Sequence, residues 1–363
     1  MDVAHVEKSK GSSWDFITSN AVVQRATEVI SSLQEKRKTL GLSNPGNIDR
    51  IAREVENEVL LNNYSFTGLR ADITKSVGNA PLFQVSHQFS TGSQMQMPYN
   101  FALLYGTPNV FMQANIDNER QLMARFNWRW NSALTTKTMA QLAPGATGQS
   151  MVSIENDYVG SDFTASIKAI NPSLLEGGLT GMMTGEYLQS VTPKLSVGVQ
   201  ALWQRQAMTS GPDVVLTYAA RYKSLDWIAT AQMSPMGVLQ TSYWRRIAEN
   251  FQVGSSLSLQ YMPGAPQGMM GPPAKAEGLA TIGAKFDFRT SQVRMQVDSQ
   301  GRIGAHIEKR IIPPVSVSFV GQIDHVKNES KIGLSISIES MTEEAAVQQE
   351  QMMTSGEMQS PPF

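Results

Sequence analysis

The stretch Leu122-Met-Ala-Arg-Phe-Asn-Trp-Arg-Trp130 places Ala124, Phe126, Trp128 and Trp130 on one face and Arg125, Asn127 and Arg129 on the other. Successive side chains of a strand point to opposite sides, so this period of two describes a strand with one apolar side and one hydrated side. The same alternation returns at 163–170 (Phe163, Ala165, Ile167 against Thr164, Ser166, Lys168) and at 195–204 (Leu195, Val197, Val199, Ala201, Trp203 against Ser196, Gln200, Gln204). It appears again at 251–261, where Phe251, Val253, Leu257, Leu259 and Tyr261 oppose Gln252, Ser256, Ser258 and Gln260.

Turn-forming joints punctuate the region 63–340: Asn79-Ala-Pro81, Gly106-Thr-Pro108, Ala143-Pro-Gly145, Asn171-Pro172, Thr192-Pro193, Gly211-Pro212 and Ile312-Pro-Pro314. They divide it into about nineteen strands, hairpin after hairpin. Each unit then has roughly fourteen or fifteen residues, a strand of about 9–11 residues plus a turn, which is the length a tilted strand needs to cross a bilayer. No window approaches 18 consecutive apolar residues, and a closed barrel is the other way of crossing with every backbone group paired. The fold class read here is all-β, a transmembrane β-barrel of about nineteen strands. Aromatics near the expected strand ends (Tyr99, Tyr105, Trp128, Trp130, Tyr187, Trp203, Tyr218, Tyr222, Trp227, Tyr243, Trp244, Tyr261) fit interfacial girdles.

Residues 1–62 read as a helical segment. Ser12 or Ser13 would cap a helix over 14–38, and Asn44-Pro45 supplies an N-cap and first-turn proline for a second helix over 45–61. Ile48, Ile51, Val55 and Val59 form its apolar stripe amid charged residues, which suits docking along the barrel wall. The connection 262–275, rich in Gly, Pro and Met, reads as a long loop, and 341–363 as a polar tail with a short helix at 343–353.

Composition removes several function classes. The 30 Lys+Arg balance 31 Asp+Glu, so bulk positive charge offers no hold on nucleic acid. With no cysteine, thiol chemistry and disulfides are excluded. His5, His87, His306 and His325 are scattered with no metal-ligand spacing. The Glu176–Gly185 run lacks phosphate-loop spacing, and no Gly-x-Ser-x-Gly elbow is present. Glu155 and Asp157, two apart on a strand, read as polar lumenal positions rather than a hydrolytic pair. A channel, not an enzyme, is expected, with no cofactor and no metal. Residues 1–16 show neither a signal nor a transit pattern, so an uncleaved chain is expected. Without a signal, the sequons at Asn63 and Asn328 read as chance, and Phe363, after two prolines, does not resemble a bacterial outer-membrane ending.

With Trp128, Phe163, Trp203 and Val293 facing lipid, alternation puts Arg125, Arg129, Lys168, Arg294 and Asp298 in the lumen. The same reasoning on neighbouring strands adds Asp72, Glu155, Asp157, Glu186, Asp287 and Glu308, giving a substrate path of mixed sign. The 20 methionines suit adaptable contacts with varied apolar segments.

In the last strand, Lys331-Ile-Gly-Leu-Ser-Ile-Ser-Ile338 resembles the assembly signal of mitochondrial outer-membrane barrels, carried here by Lys331, Gly333, Leu334, Ile336 and Ile338. Asn44-Pro-Gly-Asn-Ile-Asp-Arg-Ile-Ala-Arg-Glu-Val, Phe66-Thr-Gly-Leu-Arg-Ala-Asp-Ile-Thr-Lys75 and Pro81-Leu-Phe-Gln-Val-Ser-His-Gln-Phe89 look like the family of central channel subunits of the mitochondrial outer-membrane protein translocase, within the mitochondrial porin superfamily. The similarity spans about residues 40–340. The resemblance implies a nineteen-stranded barrel, parallel first and last strands, a helical segment in the lumen and location in the mitochondrial outer membrane. It implies conduction of unfolded precursor proteins bearing presequences. Its implied partners are a receptor subunit, small single-helix subunits, a second copy of the pore and membrane lipid, with no nucleic acid. A metabolite or anion porin of the same fold is the alternative, and a soluble β-rich binding protein a third reading.

Overall fold

The structure is a computed structural model and describes residues 41–79, 81–92, 98–145, 150–173, 179–205, 211–262 and 275–341. The expected helix at 14–38, the interior of the 262–275 loop and the expected tail helix lie outside the described residues.

Among the described residues nineteen strands follow one another. They are β1 (Gly68–Asn79), β2 (Leu82–Thr91), β3 (Tyr99–Gly106), β4 (Val110–Asp117), β5 (Leu122–Arg129), β6 (Leu134–Leu142), β7 (Met151–Val159), β8 (Phe163–Ser173), β9 (Thr180–Ser190) and β10 (Leu195–Arg205). The remainder are β11 (Asp213–Lys223), β12 (Trp227–Ser234), β13 (Val238–Ala248), β14 (Phe251–Met262), β15 (Lys275–Asp287), β16 (Ser291–Asp298), β17 (Arg302–Ile312), β18 (Val315–Asp324) and β19 (Glu329–Met341).

Each strand pairs antiparallel with its neighbour in sequence, and β1 closes the sheet against β19. In a meander direction alternates, so with an odd number the first and last strands run the same way and their seam must be parallel. The register runs from Gly68 opposite Gly333 to Ser76 opposite Met341. Closure leaves no unpaired edge, the condition for crossing hydrocarbon. No helix among the described residues is long and apolar enough to span a membrane.

One face of the closed sheet is apolar and exposed, with Leu69, Ile73, Ile167, Ile282, Met295 and Ile323 all at least 42% exposed. In water an isolated chain would leave this surface exposed, whereas a bilayer covers it. The opposite, inner face carries Ser, Thr, Gln and most of the charges. Among strand residues, the acidic side chains fall on the inner-face set of positions.

Three sequence expectations need correction. Trp244 does not join the girdle: it follows outward-facing Tyr243, so alternation turns it inward, where it is 6% exposed among Val55, Val59, Leu60 and Ile228. Asn171-Pro172 is not a turn between strands. β8 continues to Ser173, and the β8–β9 register slips between Ile170 and Ser173, with Asn171 at φ 45°, so the proline marks a bulge. The segment after Asn44 is not one regular helix either.

Candidate functional site

The apolar stripe foreseen for 45–61 is buried: Ile48, Ile51, Val55 and Val59 are each no more than 2% exposed, joined by Leu60 and Leu61. The backbone differs from the expectation. A 3-10 turn at Ile48–Arg50, entered from Asn47, is followed by a wide π-type helix at Glu54–Val59. Asn44 caps no helix. Its amide donates to the carbonyls of Gly160 and Phe163, both at 2.9 Å, and its Oδ1 accepts from Thr164 Oγ1 at 3.1 Å. Local capping signals lose to this long-range anchor on the β7–β8 turn because it satisfies three groups of the wall at once.

The partners of the stripe are inner-face residues, which places the segment inside the barrel. Ile48 and Ile51 pack with Leu188 and Ala219, while Val55, Val59 and Leu60 pack with Ile228 and Trp244. The wall is hollowed to receive them. A Cβ on Gly254 of β14 would stand 3.3 Å from Val55 Cγ1 and from Val59 Cβ and Cγ1, and one on Gly283 of β15 would stand 2.8 Å from Leu60 Cδ2. Glycine leaves room at these positions for side chains of the segment, which would have to shift to admit a Cβ.

Polar contacts fix the remainder. Arg221 on β11 meets Glu54 at 2.6 Å and donates to Pro45 O at 3.2 Å. Arg294 on β16 donates from Nε to Glu58 O at 3.0 Å, while its guanidinium lies 3.8 Å from the Tyr64 ring centroid and Nη1 is 3.4 Å from His306 Nδ1. Gln296 Oε1 accepts from the Leu61 amide at 2.7 Å. The segment therefore occupies the lumen as a seated wall element that reduces the free cross-section.

Beside its first turn lies a charged band. Lys137 on β6 reaches Glu155 at 2.7 Å and also contacts Asp157, both on β7. Lys168 on β8 is 3.9 Å from Glu155 and 4.0 Å from Asp49 of the segment. Glu186 on β9 accepts from Gln200 at 2.8 Å and from Ser166 at 3.3 Å. With Arg125 of β5 within electrostatic reach of Glu155, three cations stand among four carboxylates, and this part of the passage has a negative excess of one that attracts cations over about a Debye length of 8–10 Å.

Apart from Arg125, which lies within electrostatic reach of Glu155, the other sequence-selected residues stand away from this band. Asp72 pairs with Arg70 at 2.8 Å near the seam, and Asp287 pairs with Lys285 at 3.1 Å and receives Gln292. Arg125 lies 5.6 Å from the Phe111 ring centroid, and Arg129 donates to Pro108 O at 3.1 Å. Asp298 accepts from the amides of Gln300 and Arg302 in the β16–β17 turn. Glu308 sits at an inner-face position of β17 opposite Gln292. Arg294, as shown, is engaged with the segment.

Sequence reasoning missed Lys137, Arg221 and Asn44. Lys137 was hidden because the outward residues of β6, Leu134, Thr136, Thr138 and Ala140, are mostly small or polar and give no clean alternation. Arg221 was legible: Val214, Leu216 and Tyr218 point outward, so Arg221 must point inward. No local signal announces the anchoring role of Asn44.

In the assembly-signal stretch, Ile332, Leu334, Ile336 and Ile338 face outward at 38–60% exposure. Gly333 faces inward at the seam, where a Cβ would lie 2.6 Å from the Phe66 carbonyl oxygen and 2.7 Å from its ring.

The family model described as eukaryotic porin matches residues 44–333. Mitochondrial import receptor subunit tom40 of Neurospora crassa is 48% identical over 336 residues, covering 92% of this chain and 94% of the relative. TOM40 of Saccharomyces cerevisiae is 38% identical over 339 residues, 91% of this chain and 87% of the relative. The Mus musculus TOM40 homolog is 26% identical over 320 residues, 82% and 79%. A closed nineteen-stranded sheet with a parallel seam, an inner segment seated on the wall and these similarities agree, and the chain belongs to the eukaryotic porin family, among its mitochondrial import receptor subunits of the Tom40 type.

Proposed function

We propose that this barrel is the channel through which unfolded mitochondrial precursor proteins cross the outer membrane, and that Glu186 together with Glu155, Asp157 and Asp287 and the lysines paired with those three form part of the path. The relationship to import receptor subunits over nine-tenths of the chain carries the reading. The chemistry of the lumen supports it. A moving chain exchanges hydrogen bonds with water for bonds with Ser, Thr and Gln side chains. The acidic band draws Lys and Arg of a basic presequence. Contacts between hydrated charges are each worth about 0.2–1 kcal/mol, weak enough to be released in turn.

The remaining lumenal residues, Asp72, Arg125, Arg129, Lys168, Arg294, Asp298 and Glu308, set the mixed field through which the chain passes. Outside, the apolar belt faces lipid and offers surface for single-helix subunits, a receptor subunit and a second copy of the pore. Lys331, Gly333, Leu334, Ile336 and Ile338 direct assembly of the final strand.

The test uses reconstituted channels and isolated mitochondria carrying Glu155→Gln, Asp157→Asn and Asp287→Asn together. Import of presequence-bearing precursors should slow more than that of precursors without basic presequences, and ion selectivity should move away from cations. Equal slowing of both classes would remove these carboxylates from the path. A metabolite porin of the same fold would pass small solutes but no presequence peptide through the purified wild-type channel.

A further inference from the structure

At the mouth formed by the C-terminal ends of β5, β7 and β11, the inner segment and the wall border a half-open recess of ≈ 450 Å³. Six cationic side chains line it: Arg50, Arg53, Arg129, Lys137, Arg221 and Lys223. Only Glu54 and Asp157 oppose them, so the lining carries four more positive than negative charges. Those two carboxylates are already taken, Glu54 by Arg221 and Asp157 by Lys137. Among the described residues Arg50, Arg53, Arg129 and Lys223 form no ion pair, and the buried Nε of Arg221 has no hydrogen-bond partner.

The anchor at Asn44 creates this arrangement. By tying the chain to Gly160 and Phe163, it brings Arg50 and Arg53 on the segment opposite the basic ends of β5, β6 and β11. Gathering like charges this closely raises the energy of the empty recess, and a bound anion reverses the sign of that contribution. The recess shares Lys137 and Asp157 with the neighbouring band, and beyond that pair the zones differ in sign, with Glu155, Glu186 and Asp49 on one side and Arg50, Arg53, Arg129, Arg221 and Lys223 on the other.

We propose that this recess is a binding site for a compact polyphosphate anion, inorganic or carried by a nucleotide. Guanidinium groups present forked donors that match phosphate oxygens bidentately, and three arginines here have free capacity. An acidic peptide fits less well. Same-face carboxylates of an extended chain are about 6.6 Å apart, so few can enter a recess of this size, whereas linked phosphates carry about one charge or more each within a few ångströms.

The test is titration of the purified full-length channel in detergent with inorganic tripolyphosphate and with adenosine triphosphate, followed by calorimetry and by single-channel current. Saturable tripolyphosphate binding is expected, with strong weakening by added salt. Arg50→Gln with Arg53→Gln and Lys223→Gln should weaken it by about 30-fold or more. Arg53→Gln alone, at an exposed position on the segment, should weaken it by about 3–10-fold and serves if the triple variant fails to assemble. Equal affinity for the two ligands assigns the site to the phosphates alone, and a preference for the nucleotide adds contacts beyond them. Undiminished binding in the variants, absence of saturation at millimolar ligand, or tighter binding of an oligoglutamate peptide than of tripolyphosphate would each overturn the proposal. Because binding is read without translocation, its failure is separable from failure of the import reading.

Discussion

The hollow at Gly254 offers the most direct check on how the inner segment is held. A Cβ there already meets three segment atoms at 3.3 Å, Val55 Cγ1 and Val59 Cβ and Cγ1, and meets no strand backbone within that range. Gly254→Ala therefore asks the neighbours to give by a few tenths of an ångström. Gly254→Val extends two methyl groups about 1.5 Å further into occupied space. Overpacking of this kind costs about 1–3 kcal/mol, and here the soft partner is the segment rather than the hydrogen-bonded sheet. Release of the segment should thus become easier by about 2 kcal/mol, or roughly 30-fold in the population of the open form. The chain contains no cysteine, so a single Leu61→Cys, at a position 5% exposed against the wall, reports opening without background. Labelling by a water-soluble maleimide in proteoliposomes should be slow in the parent and about 30-fold faster with Gly254→Val. Val59→Ala combined with Gly254→Ala should label more slowly than the sum of the two single effects predicts, since the added methyl fills the removed one's space. Unchanged labelling with Gly254→Val would refute the seat.

Three further outcomes follow from the same geometry. Arg294→Ala removes the hydrogen bond to Glu58 O and the face contact with Tyr64, and should weaken seating by about 1.5–3 kcal/mol; Arg294→Lys should recover only part, read by the same labelling. Gly333→Leu collides with Phe66 at the seam, and Ile336→Asp puts a charge on the outward face at a cost of up to about 2–4 kcal/mol near the midplane; both should reduce mature assembly on native gels, and normal accumulation of both would make the stretch an ordinary strand. Deleting 1–61 should leave the barrel resistant to carbonate extraction while raising single-channel conductance, and identical conductance would contradict the narrowing of the lumen by the segment.

Alternation alone made the barrel legible, because in a two-faced sheet the face of each residue is decided by its position in the strand. Leu122–Trp130 showed this locally, and counting similar units led to about nineteen, within one or two, without any knowledge of pairing. The inner face followed in the same way: Arg125, Lys168 and Asp287 lie on it because both their neighbours are apolar and must meet lipid, and Glu155 lies on it beside outward-facing Ile154. Which of these charges meet one another was beyond reach. Glu155 and Asp157 share Lys137, on a strand whose outer residues gave no strong pattern, and Asp49 approaches Lys168 only because a segment from far away in the chain lies across the wall.

The apolar stripe of 48–59 was likewise a local fact, whereas its backbone was not. Helical propensity favoured a regular helix capped at Asn44, yet the packed segment has a 3-10 turn and a π turn. The seat imposes this form, since burial of six apolar side chains against fixed hollows outweighs the small differences between helix types. The parallel seam belongs to the same class. Nothing near Gly68 or Gly333 indicates that they face each other, but an odd number of strands and the need to leave no edge in hydrocarbon force that pairing. Local periodicity determined which face each residue takes, and only closure of the chain upon itself decided its partners.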